Sequence, residues 1–227
     1  SKIYIDRKIS KIDNNLVEIP IVNLNNVAPA GSMSSSVKDM TNWLFAQLNN
    51  GKIDGKQILS AKSIRAIRSP SSIIGVDQRD NIETHFNLYG MGLYINDYDG
   101  KLVYSHTGGV DGFLSSVMFI PEEKLGIVVL TNTDQNNFYQ NLTDAIRDAF
   151  LGLPYQEYSK SSLKIFKQEK LEEVKRIDSL KKVVSQKFIP SLPLKKYSGN
   201  YFNEVYGDIE IKLENNKLNI YFSNHPT

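Results

Sequence analysis

The sequence predicts an α/β chain of the α+β type, an antiparallel sheet flanked by helices. Three observations predict it. Between Tyr89 and Asn132, four β-rich runs follow one another with only short turns between them, which fits an antiparallel meander. Amphipathic helical patterns stand on both sides, one beginning near Ser34 and one ending near Phe150. The 227 residues are 41% hydrophobic, enough apolar surface to offset the ordering entropy, so disorder as the main state is excluded.

Residues 1–28 read as irregular or short extended structure, punctuated by Asp13-Asn14-Asn15, Asn23 and Asn25-Asn26. A helix is expected from Ser34, with Ser36 and Asp39 at capping-box spacing and Met40, Trp43, Leu44 and Leu48 forming one apolar face. Asn49-Asn50-Gly51 should stop it. Ser60 is expected to cap a short helix carrying Ile64 and Ile67. Residues 69–86 have no period and read as one long loop.

The four strands are expected at Leu93–Ile95, Leu102–His106, Phe113–Ile120 and Gly126–Leu130. The last run is apolar throughout, which predicts burial on both faces. A helix should follow and lay Phe138, Leu142, Ile146 and Phe150 across the sheet. Composition shifts after Gly152. Residues 159–188 hold nine Lys and Arg against four Asp and Glu, while Leu171, Val174, Ile177, Leu180, Val184 and Phe188 keep helical steps. The favoured reading is a basic linker helix docked on its neighbours, ahead of a membrane-surface helix. After Pro190 and Pro193, three short strands follow, with plain alternation at Ile209, Ile211 and Leu213. The boundaries are accordingly 1–152, 153–190 and 191–227, the last segment reading as the start of a small β-domain.

Composition narrows the chemistry. The net charge of +2 supplies no field for nucleic acid. Zero Cys excludes disulfides, thiolate metal sites and a cysteine nucleophile. Three His (His85, His106, His225) are too few and scattered for a histidine cage, and no acidic metal constellation or Gly-rich phosphate loop is present, so no metal or cofactor is expected. His106-Thr107-Gly108-Gly109 is the strongest candidate site. His and Thr can donate to a carboxylate or carbonyl. Gly admits a close backbone approach, and its N–H at a strand edge is a donor for an oxyanion. Taken alone, the tetrapeptide also fits an ordinary β-turn. Asn132 reads first as part of a helix start. Asp111 reads as a turn former, His85 as a solvated loop residue, and Trp43 as packing.

Ala28-Pro29-Ala30-Gly31-Ser32-Met33 before the first helix, Tyr89-Gly90-Met91-Gly92-Leu93, His106-Thr107-Gly108-Gly109, Gly112-Phe113 and Gly126-Ile127-Val128-Val129-Leu130-Thr131-Asn132 occur in one order. In that order and spacing, they resemble the C-terminal half of the serine β-lactamase and penicillin-binding-protein superfamily, in its class C-like branch of D-aminopeptidases, DD-peptidases and esterases. The resemblance covers roughly residues 20–150. Residues 190–227 are similar to the opening of a β-domain often appended to such hydrolases.

The resemblance implies a β-lactamase/transpeptidase-like fold, present in part, and an acyl-enzyme mechanism in which a Ser of S-x-x-K attacks, its Lys assists and a Tyr of Y-x-N relays protons. The K-T-G or H-T-G element is matched by His106, Thr107 and Gly108, with Gly109 giving its N–H to the oxyanion. The same resemblance is what makes Asn132 a weak substrate-lining candidate. His for Lys at 106 is common in the peptidase and esterase branches and argues against a specific β-lactam claim. S-x-x-K occurs at Ser35–Lys38, Ser161–Lys164 and Ser179–Lys182; with this Ser and Lys content about two are expected by chance, so the matches carry no information. The one Y-x-N before His106, Tyr94-Ile95-Asn96, lies in the strand just upstream. The expectation is therefore a chain without its nucleophile, inactive alone, whose partner is the missing N-terminal half of its domain. The substrate would be a small amide, ester or peptidoglycan-like molecule, and the compartment periplasmic or extracellular. The alternative is a non-catalytic module that recognises peptidoglycan or a partner protein through the same edge.

Overall fold

The computed structural model describes residues 2–6, 16–75, 84–134, 136–186 and 188–223. Asp13–Asn15, part of the 69–86 stretch, and His225 lie outside them. Contacts divide the chain into two compact units, Ser1–Val174 and Lys175–Thr227.

In the first unit, β1 (Ile3–Asp6) and β2 (Leu16–Ile19) pair antiparallel, and α1 (Ala28–Gly31) follows a 3-10 turn. The expected capping box forms at α2 (Val37–Leu48). The Asp39 N–H donates to Ser36 Oγ at 3.2 Å, and the Ser36 hydroxyl donates back to Asp39 Oδ2 at 2.8 Å. The helix ends through Asn50 (φ 53°) and Gly51 (φ 89°). A Cβ at Gly51 would stand 2.0 Å from the Leu59 carbonyl oxygen, so the stop needs glycine for space as well as for φ. A small ribbon of β3 (Lys52–Ile53) and β4 (Lys56–Gln57) leads to α3 (Ala61–Ile67), capped by Ser60.

The sheet has six strands rather than four. They are β5 (Ser72–Gly75), β6 (Asn87–Tyr89), β7 (Tyr94–Tyr98), β8 (Lys101–Val110), β9 (Phe113–Ile120) and β10 (Leu125–Thr131). All pair antiparallel, and their spatial order follows the chain. The stretch expected to be only loop contributes β5, and β6 begins just past its end. As an edge strand, β5 leaves Ile73 84% exposed, so it carries no alternation for the eye to find.

Helices cover both faces. One face packs Val103, Met118, Ile120, Leu125, Ile127 and Val129 under Tyr139, Leu142 and Ile146 of α4 (Phe138–Leu151). The other packs Leu93, Ile95, Tyr104 and Phe119 under Trp43, Leu44 and Leu48 of α2. Strand β10 buries Leu125, Ile127 and Val129 toward α4, but on the α2 side Val128 is only half-buried and Leu130 is 38% exposed, so the burial expected on both faces is complete on one. The stripe on α4 is corrected at its ends, because Phe138 and Phe150 are exposed. Steps of four residues overrun the helical turn by about 40° each, so three such steps carry the last position off the buried face. Tyr139 takes the place of Phe138.

Helix α5 (Tyr158–Ser185) realises the basic helical pattern, with none of its residues buried. The second unit holds β11 (Gly199–Asn203), β12 (Gly207–Glu214) and β13 (Lys217–Phe222), an antiparallel three-stranded sheet turned through Asn215 and Asn216 at φ 50° and 60°. Ile209, Ile211 and Leu213 pair with Phe222, Ile220 and Leu218 on one face. Among the described residues, no helix is long and apolar enough to cross a membrane.

Candidate active site

His106, Thr107, Gly108 and Gly109 lie within β8, not in a turn; the turn is Asp111-Gly112, with Gly112 at φ 77°. Strand β8 outruns its neighbour. Its pairing with β7 ends at Ser105↔Tyr94, while its pairing with β9 continues to Val110↔Phe113. From His106 to Val110, one edge of β8 is therefore without a partner strand among the described residues.

The two hairpins fix which backbone groups face that edge. At the β7–β8 turn, Asp99 (φ 51°) and Gly100 (φ 70°) have the paired positive φ of a type I′ turn closed by Tyr98↔Lys101. Alternation from that closing pair directs the N–H and C=O of residues 101, 103, 105, 107 and 109 toward the β7 side. At the other end, the two-residue turn closed by Val110↔Phe113 directs residues 110, 108 and 106 toward β9. The two derivations agree. Thr107 and Gly109 turn their backbone donors to the open edge, and neither has a hydrogen-bond partner there among the described residues. This is the arrangement that can receive an extended substrate strand or a developing oxyanion.

The glycines fit the close spacing. A Cβ at Gly108 would stand 2.6 Å from Ser115 Oγ, which itself donates to the Gly108 carbonyl at 3.4 Å. Helix α1 flanks the far end of the strand, with Val110 Cγ1 3.7 Å from the Cβ position of Gly31.

Two aromatic residues unclaimed by the sequence reading join His106. Tyr89 Oη and His106 Nε2 are 3.1 Å apart. The Tyr94 ring stacks on the imidazole at 5.6 Å and 25°, and Tyr89 meets Tyr94 edge-on at 5.0 Å. Tyr94 is the Tyr of the Y-x-N match in the strand upstream. Its pairing with Ser105, one residue before His106, is the signal that locates it, and that pairing follows once the β7–β8 hairpin is recognised.

The other candidates fall elsewhere. Asn132 follows β10 at the same end of the sheet, one residue past the row Gly109–Leu114–Thr131. Its side-chain amide donates to the Lys2 carbonyl at 2.9 Å. His85 is a solvent-exposed loop residue, as expected, and it also latches the loop to the sheet. Its N–H donates to Asp97 Oδ1 at 2.7 Å, its ring bonds Asp97 Oδ2, and the Phe86 N–H adds a third bond at 3.0 Å. Burial opposes ionisation of Asp97, but these bonds outweigh it and hold its carboxyl below the usual carboxylate range. Trp43 packs edge-on to Phe119 at 5.9 Å in the core. No described hydrogen bond links Ser35, Ser161 or Ser179 to β8. Among the described residues, no group of His, Asp and Glu could hold a metal ion.

Residues 6–151 match the sequence profile of the beta-lactamase family. Across 94% of its length, the chain is 25% identical to 40% of the unguisins hydrolase of Aspergillus violaceofuscus. Over 104 residues, 46% of the chain, it is 34% identical to 18% of Protein flp of Staphylococcus aureus. The octameric penicillin-binding protein homologue from Pyrococcus abyssi shares the fold, with a TM-score of 0.50 and 20% identity over 99% of this chain and 41% of that one. The chain thus spans about two fifths of the length of the first of these relatives.

Proposed function

The chain belongs to the beta-lactamase family, and from that premise we propose that it forms the substrate-holding side of a serine hydrolase acting through an acyl-enzyme. The observation that carries the reading is the open edge of β8, where Thr107 and Gly109 offer backbone donors beside His106. Gly109 binds the oxyanion, while Thr107 and His106 orient the acyl group. The nucleophilic Ser and its Lys and Tyr partners come from polypeptide other than these 227 residues. Substrates are small amides, esters or peptidoglycan-like molecules, and a relative named as a hydrolase supports hydrolysis as the reaction type. By resemblance, the working compartment is periplasmic or extracellular.

The test uses the full-length polypeptide with a chromogenic ester and a chromogenic cephalosporin, together with intact-mass detection of the acyl adduct. Turnover of the ester and an adduct on a Ser outside this chain are expected. Gly109→Pro deletes the edge donor without removing a ladder bond, and should lower kcat by about 10²–10³-fold, the cost of one oxyanion donor. Turnover by the purified 227-residue chain alone would contradict the reading. Absence of both turnover and adduct would favour the non-catalytic binding module.

A further inference from the structure

We propose that Tyr89 is a positioning residue that holds the His106 imidazole in its Nδ1–H tautomer, so that the site offers substrate an uncharged donor. The inference rests on the reading of the β8 edge as substrate-binding, and deepens it. Its basis is the 3.1 Å separation of Tyr89 Oη and His106 Nε2.

A phenol is a good donor, and a neutral imidazole has one strong acceptor nitrogen. The 3.1 Å contact admits either direction; a phenolic O–H is the stronger donor and its oxygen the weaker acceptor, so in this proposal Tyr89 O–H donates to Nε2 and the ring proton resides on Nδ1. Free histidine side chains in water favour the opposite form, with the proton on Nε2, so the pairing changes what the ring presents. Nδ1 has no hydrogen-bond partner among the described residues, which leaves its N–H for a ligand. Tyr94 contributes differently. Its ring lies within 25° of parallel to the imidazole, and Tyr89 in turn leans on it at 74°. The stack limits rotation of the imidazole about χ2, while the Tyr89 hydroxyl selects the tautomer.

Both Tyr residues come from the β6–β7 hairpin, where Tyr89 pairs with Tyr94. The hairpin thus presents one hydroxyl and one ring face to the first residue of the open edge. A neutral Nδ1–H donor suits a carbonyl or amide oxygen, whereas an ammonium at this position would add charge suited to a carboxylate. The class of group that His106 meets is therefore the carbonyl oxygen of an ester, amide or peptide.

The test is 15N NMR of the imidazoles in the labelled 227-residue chain, at a pH where they are neutral. Loss of signals in His106→Gln assigns them. The wild-type chain should show the Nδ1–H pattern for His106. Tyr89→Phe should move the population to a mixture dominated by Nε2–H, and Tyr94→Phe should leave the tautomer unchanged. An Nε2–H pattern in the wild-type chain overturns the proposal even where a variant fails to fold, and so does an unchanged tautomer in folded Tyr89→Phe. The measurement needs no turnover. Failure of hydrolysis by the full-length polypeptide would sink the functional reading and leave this pairing intact, and the wrong tautomer would do the reverse.

Discussion

Replacing Asp148 with Ala removes the centre of a buried polar cluster. The Asp148 carboxylate accepts from Tyr98 Oη at 2.9 Å, from the Tyr158 hydroxyl and from Arg147 Nε at 3.0 Å. Arg147 is 3% exposed, pairs also with Asp144 at 2.7 Å, and lies 3.5 Å over the Tyr98 ring. Breaking a buried ion pair by removing one partner costs ~3–5 kcal/mol, chiefly because the survivor stays charged and desolvated. Here Asp144 remains, so the lower end applies, about 3 kcal/mol. For a chain of this size, that corresponds to a fall of about 6–12 °C in Tm. Trp43 is the sole Trp and packs on Phe119 in the first unit, so its fluorescence follows that unit through urea or heat. The double variant Arg147→Met, Asp148→Leu removes both charges and should recover most of the loss. A loss below about 1 kcal/mol for Asp148→Ala would refute the reasoning, and so would a double variant as unstable as the sum of its parts.

Other outcomes follow from the site and its supports. Gly108→Ala should cost about 1–2 kcal/mol through the contact with Ser115 Oγ, and Ser115→Ala in the same chain should restore much of it, as a urea double-mutant cycle would show. The folded-state pKa of Asp97 is depressed below its unfolded value of ~3.9, so its contribution is complete above that value and fades as pH falls through the folded one. Asp97→Asn should therefore lose about 2 kcal/mol near pH 7 by Trp43-monitored melting, with the gap to wild type closing in acid; a gap independent of pH would refute it.

Local signals were readable wherever local physics decides the structure. Ser36 with Asp39, Asn50 with Gly51, and the turns at Asp99-Gly100 and Asp111-Gly112 each fix their backbone within a few residues. Hence α2, the β7–β10 meander and the antiparallel class follow from the chain itself. Strand β5 did not, because one edge partner and little burial impose no pattern on Ser72–Gly75. The tetrapeptide at 106–109 could be singled out by its glycines and its His. Its neighbours Tyr89 and Tyr94 were visible in motifs but not as partners of His106, because only the strand register places them beside it. Tyr98, Asp148 and Tyr158 were invisible for a similar reason. Fifty residues separate the first two, and polar side chains on amphipathic patterns read as surface.

The central claim is that β8 presents Thr107 and Gly109 to an open edge, and residue-resolved amide hydrogen exchange of the 227-residue chain tests it most directly. The two hairpin registers predict protection at His106, Gly108 and Val110, with exchange at Thr107 and Gly109 faster by orders of magnitude. Uniform protection from 106 to 110, or protection of the opposite parity, would show that this edge is not free and would remove the basis for a substrate strand or an oxyanion there.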